Sequence, residues 1–261
     1  MTDIQLDVTL LGTGTSTGIP VPGCNCQVCS SDDQRNDRTR CSLLFSVAGR
    51  NILIDTATDF RQQALREKIE RIDAVLFTHT HADHIHGIDD LRPFNKKGQD
   101  PIPVYADTDT LPTIRKNFSY IFGGEEASGY CPRLSLHPID GPFELFGVPI
   151  VPVPLQHGNG TSLGFRCGPV AYLTDCNAIP ATSKALLTDL KLLILDALRF
   201  RPHGSHFNIA EAIATAEAIG AEQTLLTHLS HEVDHGKHSE GLPPRIEFAF
   251  DGQKFSFPFD K

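Results

Sequence analysis

The sequence lacks a basic charge excess and a long hydrophobic run, and both absences argue against certain classes of partner. Its 23 Lys and Arg residues are outnumbered by 32 Asp and Glu residues, which gives a formal net charge of −9. A surface that grips a nucleic-acid backbone needs a basic footprint, so the charge argues against nucleic acid as a partner. No apolar stretch is long enough to span a bilayer or to form a signal peptide. We therefore expect a cytoplasmic protein with no membrane partner.

The chain also lacks a linker, a charge block or a repetitive tract that would divide it. A chain of 261 residues can bury a sizeable core. We predict a single domain over residues 1–261. Strand and helix patterns are mixed in both halves, which indicates two sheets covered by helices, a layered α/β (α+β) architecture. Residues 246–257 are predicted to close the chain as a β-hairpin around the Asp251-Gly252 turn.

The central motif is Thr-His-Thr-His-Ala-Asp-His at residues 78–84. It follows a buried-strand pattern at 73–77 and precedes a helical pattern, so its side chains are predicted at the end of a strand. It contains four ligand-type residues: His79, His81, Asp83 and His84. Imidazole together with carboxylate suits zinc, manganese or iron. Because four ligands cannot complete two metal sites, further ligands must lie elsewhere.

Three more ligand-type residues each follow an apolar strand pattern. His157 follows residues 150–155, Asp175 follows 170–174 and His228 follows 223–227. The functional sites of α/β sheets gather at the carboxyl ends of strands. Together with the central motif, these positions give seven candidate metal ligands.

A C-x-C-x-x-C cluster, Cys24, Cys26 and Cys29, lies in a Pro/Gly-rich loop. Seven cysteines in all, without an export signal, favour reduced thiols. Three thiolates at this spacing are typical of a closed tetrahedral zinc site, which needs a fourth ligand from elsewhere. The alternative is that these cysteines are free or redox-active.

The glycine-rich segment 12–18 matches a dinucleotide-binding loop only in part. Thr17 stands where the third glycine of G-x-G-x-x-G belongs, and prolines follow where a helix should begin. These glycines are predicted to allow a tight backbone turn near the site.

Taken together, these motifs resemble the metallo-β-lactamase superfamily, whose pattern is His-x-His-x-Asp-His followed by a distant His, Asp and His. The resemblance extends over essentially the whole chain and implies an αββα four-layer sandwich, with the metals at one edge between the sheets. It implies two divalent metal ions, zinc or manganese. Their ligands would be His79, His81 and His157 for the first ion, Asp83, His84 and His228 for the second, and Asp175 as the bridge between both. Asp55 matches an aspartate that supports the ligand loop.

A narrower resemblance is to the PhnP-type phosphoribosyl cyclic phosphodiesterases. In these proteins, three early cysteines and a late histidine bind a structural zinc. The matching residues here are Cys24, Cys26, Cys29 and His231, in a zinc loop at about residues 20–40. His206 matches the family's candidate proton-transfer histidine, and His203 is its rival.

The resemblance implies hydrolysis of a small cyclic phosphate ester, such as 5-phosphoribosyl 1,2-cyclic phosphate, by a hydroxide bound between two metals. Asp83 and His206 would be catalytic, and a homodimer is suggested. A second phosphate of the substrate could meet cationic side chains: Arg92, Lys96, Lys97, Arg199 and Arg201. The alternatives are a nuclease of the tRNA 3′-processing type and a metal-binding biosynthetic partner without hydrolytic activity.

Overall fold

Two seven-stranded sheets form the centre of the computed structural model, which describes residues 4–96, 98, 100–122 and 131–259. The first sheet has the order β14-β1-β2-β3-β4-β5-β6. Its strands are β1 (Gln5–Gly12), β2 (Ser42–Val47), β3 (Arg50–Ile54), β4 (Ala74–Leu76), β5 (Ile102–Ala106), β6 (Leu134–Pro138) and β14 (Lys254–Pro258).

The second sheet has the order β13-β12-β11-β10-β9-β8-β7. Its strands are β7 (Phe143–Leu145), β8 (Val148–His157), β9 (Gly160–Cys167), β10 (Val170–Leu173), β11 (Leu192–Asp196), β12 (Gln223–Thr227) and β13 (Ile246–Phe248). Strands β10 and β11 are buried along their whole length, in keeping with their continuous apolar sequences.

The helices cover the outer faces of both sheets. They are α1 (Phe60–Arg66), α2 (Ala82–Ile85), α3 (Thr110–Asn117), α4 (Ser119–Phe122), α5 (Ala181–Lys184), α6 (Ile209–Ile219) and α7 (His235–Ser239), with 3₁₀ turns at Gln34–Asn36 and Ile88–Phe94. The predicted helix over 208–219 forms α6. It begins with a capping box between Asn208 and Glu211 and ends at the left-handed Gly220. No helix in the described ranges is long and apolar enough to cross a membrane.

Three apolar clusters define the layers. One lies between the sheets and includes Phe45 and Phe165, one lies under the helices of the second sheet, and one lies under the helices of the first. A sheet that is apolar on both faces needs a covering layer on each side. The predicted αββα four-layer sandwich is therefore confirmed.

The predicted hairpin at residues 246–257 is wrong. Strand β13 pairs with β12 in the second sheet, whereas β14 pairs with β1 in the first. The buried Asp251 explains the crossing, because its carboxylate accepts hydrogen bonds from the backbone N–H and hydroxyl of both Thr13 and Thr39. These partners belong to loops of the first sheet, so the turn leads the chain away from β13.

Parallel pairing places the strand ends that carry polar residues at one edge. Strands β3, β4 and β5 are parallel in the first sheet, and β10, β11, β12 and β13 are parallel in the second. Neighbouring parallel strands end on the same side, and the carboxyl ends of both sets meet around the central motif.

Candidate metal centre and active site

Two groups of ligand-type side chains converge at this edge. In each group, one nitrogen or oxygen atom of every residue lies within 4.8 Å of those of the others. The first group is His79, His81, His157 and Asp175, and the second is Asp83, His84, Asp175 and His228. The structure thus brings together all seven residues singled out in the sequence, from strand ends far apart in the chain.

Asp175 lies between the two groups. Its Oδ1 atom is 3.8 Å from His79 Nε2 and 3.4 Å from His228 Nε2. Its Oδ2 atom is 3.1 Å from His84 Nε2, although the geometry is not that of a hydrogen bond. Because no hydrogen bond joins these two atoms, both can act as ligands of one cation. Asp175 therefore has the position of a bridging ligand.

Hydrogen bonds to Nδ1 fix the tautomers of two ligand histidines. His84 Nδ1 lies 2.7 Å from Asp55 Oδ2, which accepts its proton. The Thr78 hydroxyl donates to the same carboxylate and so accepts from His79 Nδ1 at 2.9 Å. In both rings the Nε2 lone pair is left to face the site. Asp55 thus supports the ligand loop, as the resemblance implies.

His157 follows the same pattern, since its Nδ1 donates to the carbonyl oxygen of Ser205 at 2.8 Å. The Nε2 atoms of His79 and His84 and both ring nitrogens of His228 are buried without a hydrogen-bond partner. Buried polar atoms are rarely left unpaired. Unpaired imidazole nitrogens that face carboxylates fit two divalent cations.

The electrostatics of the site favour positive charge. Burial opposes ionisation of Asp175, but His228 and His84 outweigh it and hold the pKa of Asp175 well below its usual range. Burial also disfavours charge on His84, yet Asp175 and Asp55 raise its pKa well above the ordinary value. A proton or a metal ion can supply the positive charge that these carboxylates favour.

Three residues at the site have a left-handed backbone. Asp55, Asp175 and His228 have φ angles of 62°, 55° and 61°. Asp55 and His228 directly follow the last residue of a strand, and Asp175 lies one residue further from the end of its strand. Non-glycine residues adopt this conformation at an energetic cost, and such residues cluster at functional sites. The sharp turn directs each side chain across the sheet edge towards the metal groups.

The cysteine cluster forms a separate group with His231. The His231 Nδ1 atom lies 3.3 Å from Cys24 Sγ and 3.6 Å from both Cys26 Sγ and Cys29 Sγ. A tetrahedral zinc ion with ordinary Zn–S and Zn–N bonds separates such ligand atoms by roughly 3.5 Å. The backbone N–H of Cys29 is the main cause that lowers the pKa of Cys26 to about 6, which favours its thiolate form. The four residues therefore fit a closed zinc site.

The glycine-rich segment connects the cysteine loop to the metal centre. Leu229, next to His228, exchanges backbone hydrogen bonds with Thr13 and Thr15 at 2.9 and 3.1 Å. A Cβ atom on Gly14 would lie 2.7 Å from the carbonyl oxygen of Arg38. The glycine thus permits a close approach of two backbone segments.

His206 lies beside the second group, and its ring stacks on that of His228 at a centroid distance of 4.6 Å. Its Nδ1 atom donates to Asp196 Oδ2 at 2.8 Å. Asp196 is fully buried, and its Oδ2 also accepts the backbone N–H of Cys176. The sequence pattern does not distinguish Asp196, although this residue ends the apolar strand β11 at the same edge of the sheet as the other site residues.

His203, the rival of His206, is an exposed residue. Its Nδ1 atom lies 3.3 Å from the backbone nitrogen and the hydroxyl of Ser205, and no carboxylate is bonded to its ring in the described structure. Partial burial, with His206 and Arg199 nearby, lowers the pKa of His203. The ring is less firmly held than that of His206.

A cavity of about 850 Å³ opens directly onto the first metal group. His79, His81 and His157 form its floor, and the 203–205 loop forms one side. Pockets of this size suit small organic molecules. The expected phosphate contacts are not there: Arg92, Lys96, Arg199 and Arg201 are not among its lining residues, and Lys97 lies outside the described residues.

Comparison with known proteins relates this chain to one superfamily. The profile described as "Beta-lactamase superfamily domain" matches residues 50–229. A solved structure described as a new diphosphatase from the PhnP family superposes with a TM-score of 0.92 at 41% identity, covering 97% of this chain and 98% of that one.

Two further relatives extend the picture. Zinc-bound PqqB from Methylobacterium extorquens shares the fold, with a TM-score of 0.77 at 20% identity over 95% of this chain and 99% of that one. An octanoyltransferase of Porphyromonas gingivalis is 43% identical over 248 residues, which cover 93% of this chain. The chain spans only 50% of the length of that relative. The family match and the fold are those of metal-dependent hydrolases, and the chain belongs to the PhnP family within the metallo-β-lactamase superfamily.

Proposed function

We propose that this protein hydrolyses a small cyclic phosphate ester, opening a five-membered cyclic diester of the kind found in 5-phosphoribosyl 1,2-cyclic phosphate. The observation that carries the proposal is the buried His206–Asp196 pair beside the paired ligand groups. This pair places a proton donor next to two groups of residues that fit two cations. Hydrolysis of a diester with an alkoxide leaving group needs both.

The two ligand groups fit two divalent ions, zinc or manganese, and the cysteine group fits one structural zinc. When bound, the paired ions would lower the pKa of water towards ~7 and neutralise charge on the phosphoryl oxygens. Asp83 belongs to the second group and would hold its ion together with His84 and His228. Asp175, which belongs to both groups, would be a ligand of both ions.

The protein's own residues complete the proton balance. Water gives up one proton to solvent as its oxygen forms the new P–O bond, one ring P–O bond breaks, and solvent later restores the proton that His206 gives up. The alkoxide released takes a proton from Nε2 of His206, and the product is a phosphate monoester. Asp196 keeps the proton of His206 on Nδ1 when the ring is neutral and stabilises the ring when it carries both protons. His203 has no such partner, so we assign the acid role to His206.

A nuclease of the tRNA 3′-processing type is less favoured. The net charge of −9 gives little attraction for a polyanion, and the cavity has the size of a small-molecule site. An octanoyl substrate is also disfavoured, because no Leu, Ile, Val or Phe lines the cavity in the described part of the chain. The octanoyltransferase relative is twice as long as the match.

A diphosphate is the second candidate substrate, since a PhnP-family relative with 41% identity is described as a diphosphatase. Its hydrolysis breaks a P–O–P bond at the same type of site. Because a phosphate leaving group is a weaker base than an alkoxide, this reaction would depend less on His206.

The test is a substrate panel assayed with zinc, manganese and nickel. It contains 5-phosphoribosyl 1,2-cyclic phosphate, the unphosphorylated ribose 1,2-cyclic phosphate, bis-p-nitrophenyl phosphate and a sugar diphosphate diester. Phosphorus NMR identifies the products. We expect a cyclic diester to be converted to a monoester, and the Asp83→Ala variant to be inactive.

Faster cleavage of the diphosphate, with both cyclic esters inert, would replace the proposal with the second candidate. Failure of the metal-loaded protein to turn over any member of the panel would favour a metal-binding biosynthetic partner. The Asp7→Asn variant is the control for Asp83→Ala, because Asp7 is exposed on β1 and is not among the cavity residues.

A further inference from the structure

Two neighbouring loops line the cavity beside His157. One is the tight turn at residues 158–161, which follows this histidine, and the other is the loop at 203–205. The two loops approach closely: a Cβ atom on Gly158, whose φ of 60° is left-handed, would lie 3.1 Å from the Cβ atom of Ser205. The distance between these loops therefore affects the shape of the cavity next to the first metal group.

The side chain of Asn177 joins the two loops. Its Oδ1 atom accepts the backbone N–H of Gly158 at 2.9 Å, and its Nδ2 atom donates to the carbonyl oxygen of Gly204 at 3.2 Å. Because one partner is a donor and the other an acceptor, only one orientation of the amide forms both bonds. The amide is thus a direct bridge between the loops.

The backbone around Asn177 is held on both sides. Its N–H donates to the carbonyl oxygen of Gln156 at 2.9 Å, and the N–H of Gln156 donates to the carbonyl oxygen of Ala178 at 3.0 Å. On the other side, the N–H of Phe207 donates to the carbonyl oxygen of Cys176 at 2.8 Å. The bridging side chain therefore extends from a segment that main-chain bonds already fix.

The bridged loop orients the ring of His157. The carbonyl oxygen of Ser205 accepts the Nδ1 proton of this ring at 2.8 Å. The contacts form a closed circuit, which runs from His157 through Gly158, Asn177, Gly204 and Ser205 back to His157. Partners of this kind set the orientation and the tautomer of a ligand histidine. A displacement of the 203–205 loop would therefore move the acceptor on which the His157 ring depends.

We propose that Asn177 is a positioning residue, which holds the 158–161 turn against the 203–205 loop and thereby fixes the ring of His157 as a ligand of the first ion. This role rests on the proposed hydrolysis only for its effect on turnover. Gly158 is half-buried and Gly204 is exposed, so their backbone groups can bond to water when the amide is removed. Loss of the amide should therefore loosen the loops without unfolding the protein.

The test uses the zinc-loaded Asn177→Ala variant, and Asn95→Ala is its matched control. Asn95 also accepts a backbone N–H and donates to a backbone carbonyl, both of Arg133, at 2.7 and 3.0 Å. Both asparagines are half-buried. Arg133 precedes β6, which is parallel to β5, so this second pair of bonds lies at the amino ends of the strands, away from the site. The two variants lose the same kinds of bond in different places.

The first readout is the exchange of the His157 Nδ1 proton with water, measured by NMR on protein with isotope-labelled histidine. We expect severalfold faster exchange in Asn177→Ala, because the Ser205 carbonyl is no longer held in place. The second readout is zinc affinity, measured by equilibrating the zinc-loaded protein with a competing chelator. One ion of the pair should bind about three- to tenfold more weakly, at or below the effect of removing a direct partner of a ligand histidine.

The Asn177→Asp variant has the same shape and keeps the acceptor for Gly158, but it loses the donor to Gly204. It should resemble Asn177→Ala in proton exchange and in zinc affinity. Its added negative charge would by itself favour a cation, so weaker zinc binding cannot be an effect of charge. With saturating zinc, both variants should raise KM for a cyclic ester more than they lower kcat, since the two loops line the cavity.

Wild-type proton exchange and zinc affinity in Asn177→Ala would overturn the proposal, as would equal changes in Asn95→Ala. An Asn177→Asp variant that matches the wild type would also overturn it, because the bond to Gly204 would then be dispensable. If the wild type turns over no phosphate ester, the proposed function fails, and the two readouts that need no turnover still decide the role of Asn177.

Discussion

The imidazole of His206 donates its Nδ1 proton to the buried carboxylate of Asp196 over 2.8 Å. Asp196 Oδ1 is buried without a hydrogen-bond partner. Among the described residues, His206 is thus the one side chain that hydrogen-bonds to this carboxylate. Its position therefore depends on the histidine and the backbone of Cys176. The pair is a unit, and its members should be tested together.

The Asp196→Asn variant should lower kcat by about 100-fold on a cyclic ester with an alkoxide leaving group, because the protonated form of His206 loses its counter-charge. His206→Ala should lower it at least as much. Both variants should retain the wild-type metal content, measured by elemental analysis. Activity on bis-p-nitrophenyl phosphate should fall far less, since p-nitrophenolate leaves without a proton.

The double variant should be no slower than His206→Ala alone if the two residues act together. His203→Ala is the matched control and should have a small effect. Equal losses on good and poor leaving groups would remove His206 from the acid role. Loss of metal from His206→Ala would instead make it a ligand, since its ligand atom lies within 4.8 Å of those of Asp175, Asp196 and His228.

The protein should bind about three metal ions per chain, of which two are removed by a mild chelator and one is retained. The retained ion is expected in the thiolate group, because closed zinc sites exchange slowly. In the Cys26→Ser variant this ion should be lost under the same treatment. A chelator-resistant ion that persists in Cys26→Ser, or the absence of any ion beyond the pair, would contradict the zinc-loop proposal.

The Gly14→Ala variant should be destabilised by roughly 1–3 kcal/mol, since its Cβ would press on the Arg38 carbonyl. Because Gly14 pairs with Leu229, the change should also displace His228 and weaken metal binding. Urea unfolding and metal titration measure the two effects. The control is Gly141→Ala, where an added Cβ meets no atom within 4 Å. Equal stability of both variants would argue against the close backbone approach.

Stability should fall as the pH drops from about 6.5 towards 4, in part because of His235. Burial, with the charges of Arg35 and Arg38, lowers the pKa of His235 to about 4. The unfolded chain therefore binds a proton at a higher pH than the folded one, and acid favours unfolding. The ring of His235 contacts those of Phe248 and Phe250. The His235→Phe variant should therefore lose less stability than the wild type over this pH interval.

The measurement for His235 is urea unfolding at several pH values, with the difference between variant and wild type as the readout. Metal loss in acid affects both proteins and cancels in that difference. His86→Gln, at an exposed histidine, should follow the wild type. A parallel decline of His235→Phe and wild type would show that His235 does not contribute.

Much of the fold was predictable because apolar periodicity is a local property. Strands β10 and β12 are short apolar runs, and the residues that follow them, Asp175 and His228, lie where the sequence predicts. The prediction of a hairpin at 246–257 is wrong for a non-local reason. An Asp-Gly turn has the same sequence whether its flanking strands pair or separate, and here the distant Thr13 and Thr39 decide the path.

The role of Asp196 and the residues that line the cavity could not be predicted in this way. Asp196 is one of 32 acidic residues, and only its position 2.8 Å from His206 distinguishes it. Charge alone predicts that Arg92, Lys96, Arg199 and Arg201 could meet a second phosphate, and none of them lines the cavity. Asp107 and Asp109 do line it. Where these two residues lie relative to the histidines depends on the packing of β5 against β4, which no single-sequence pattern specifies.

The crossing at Asp251 has a consequence for how the protein is made. His79 to His84 leave the ribosome long before Asp251, the residue that holds Thr13 and Thr39, and before β14, which pairs with β1. At ordinary translation rates this interval is roughly 10–30 s. During that time the histidine cluster belongs to an incomplete nascent chain. We therefore expect metal loading of the centre to follow synthesis, and the supply of metal in the cell at that moment to decide which ion is installed.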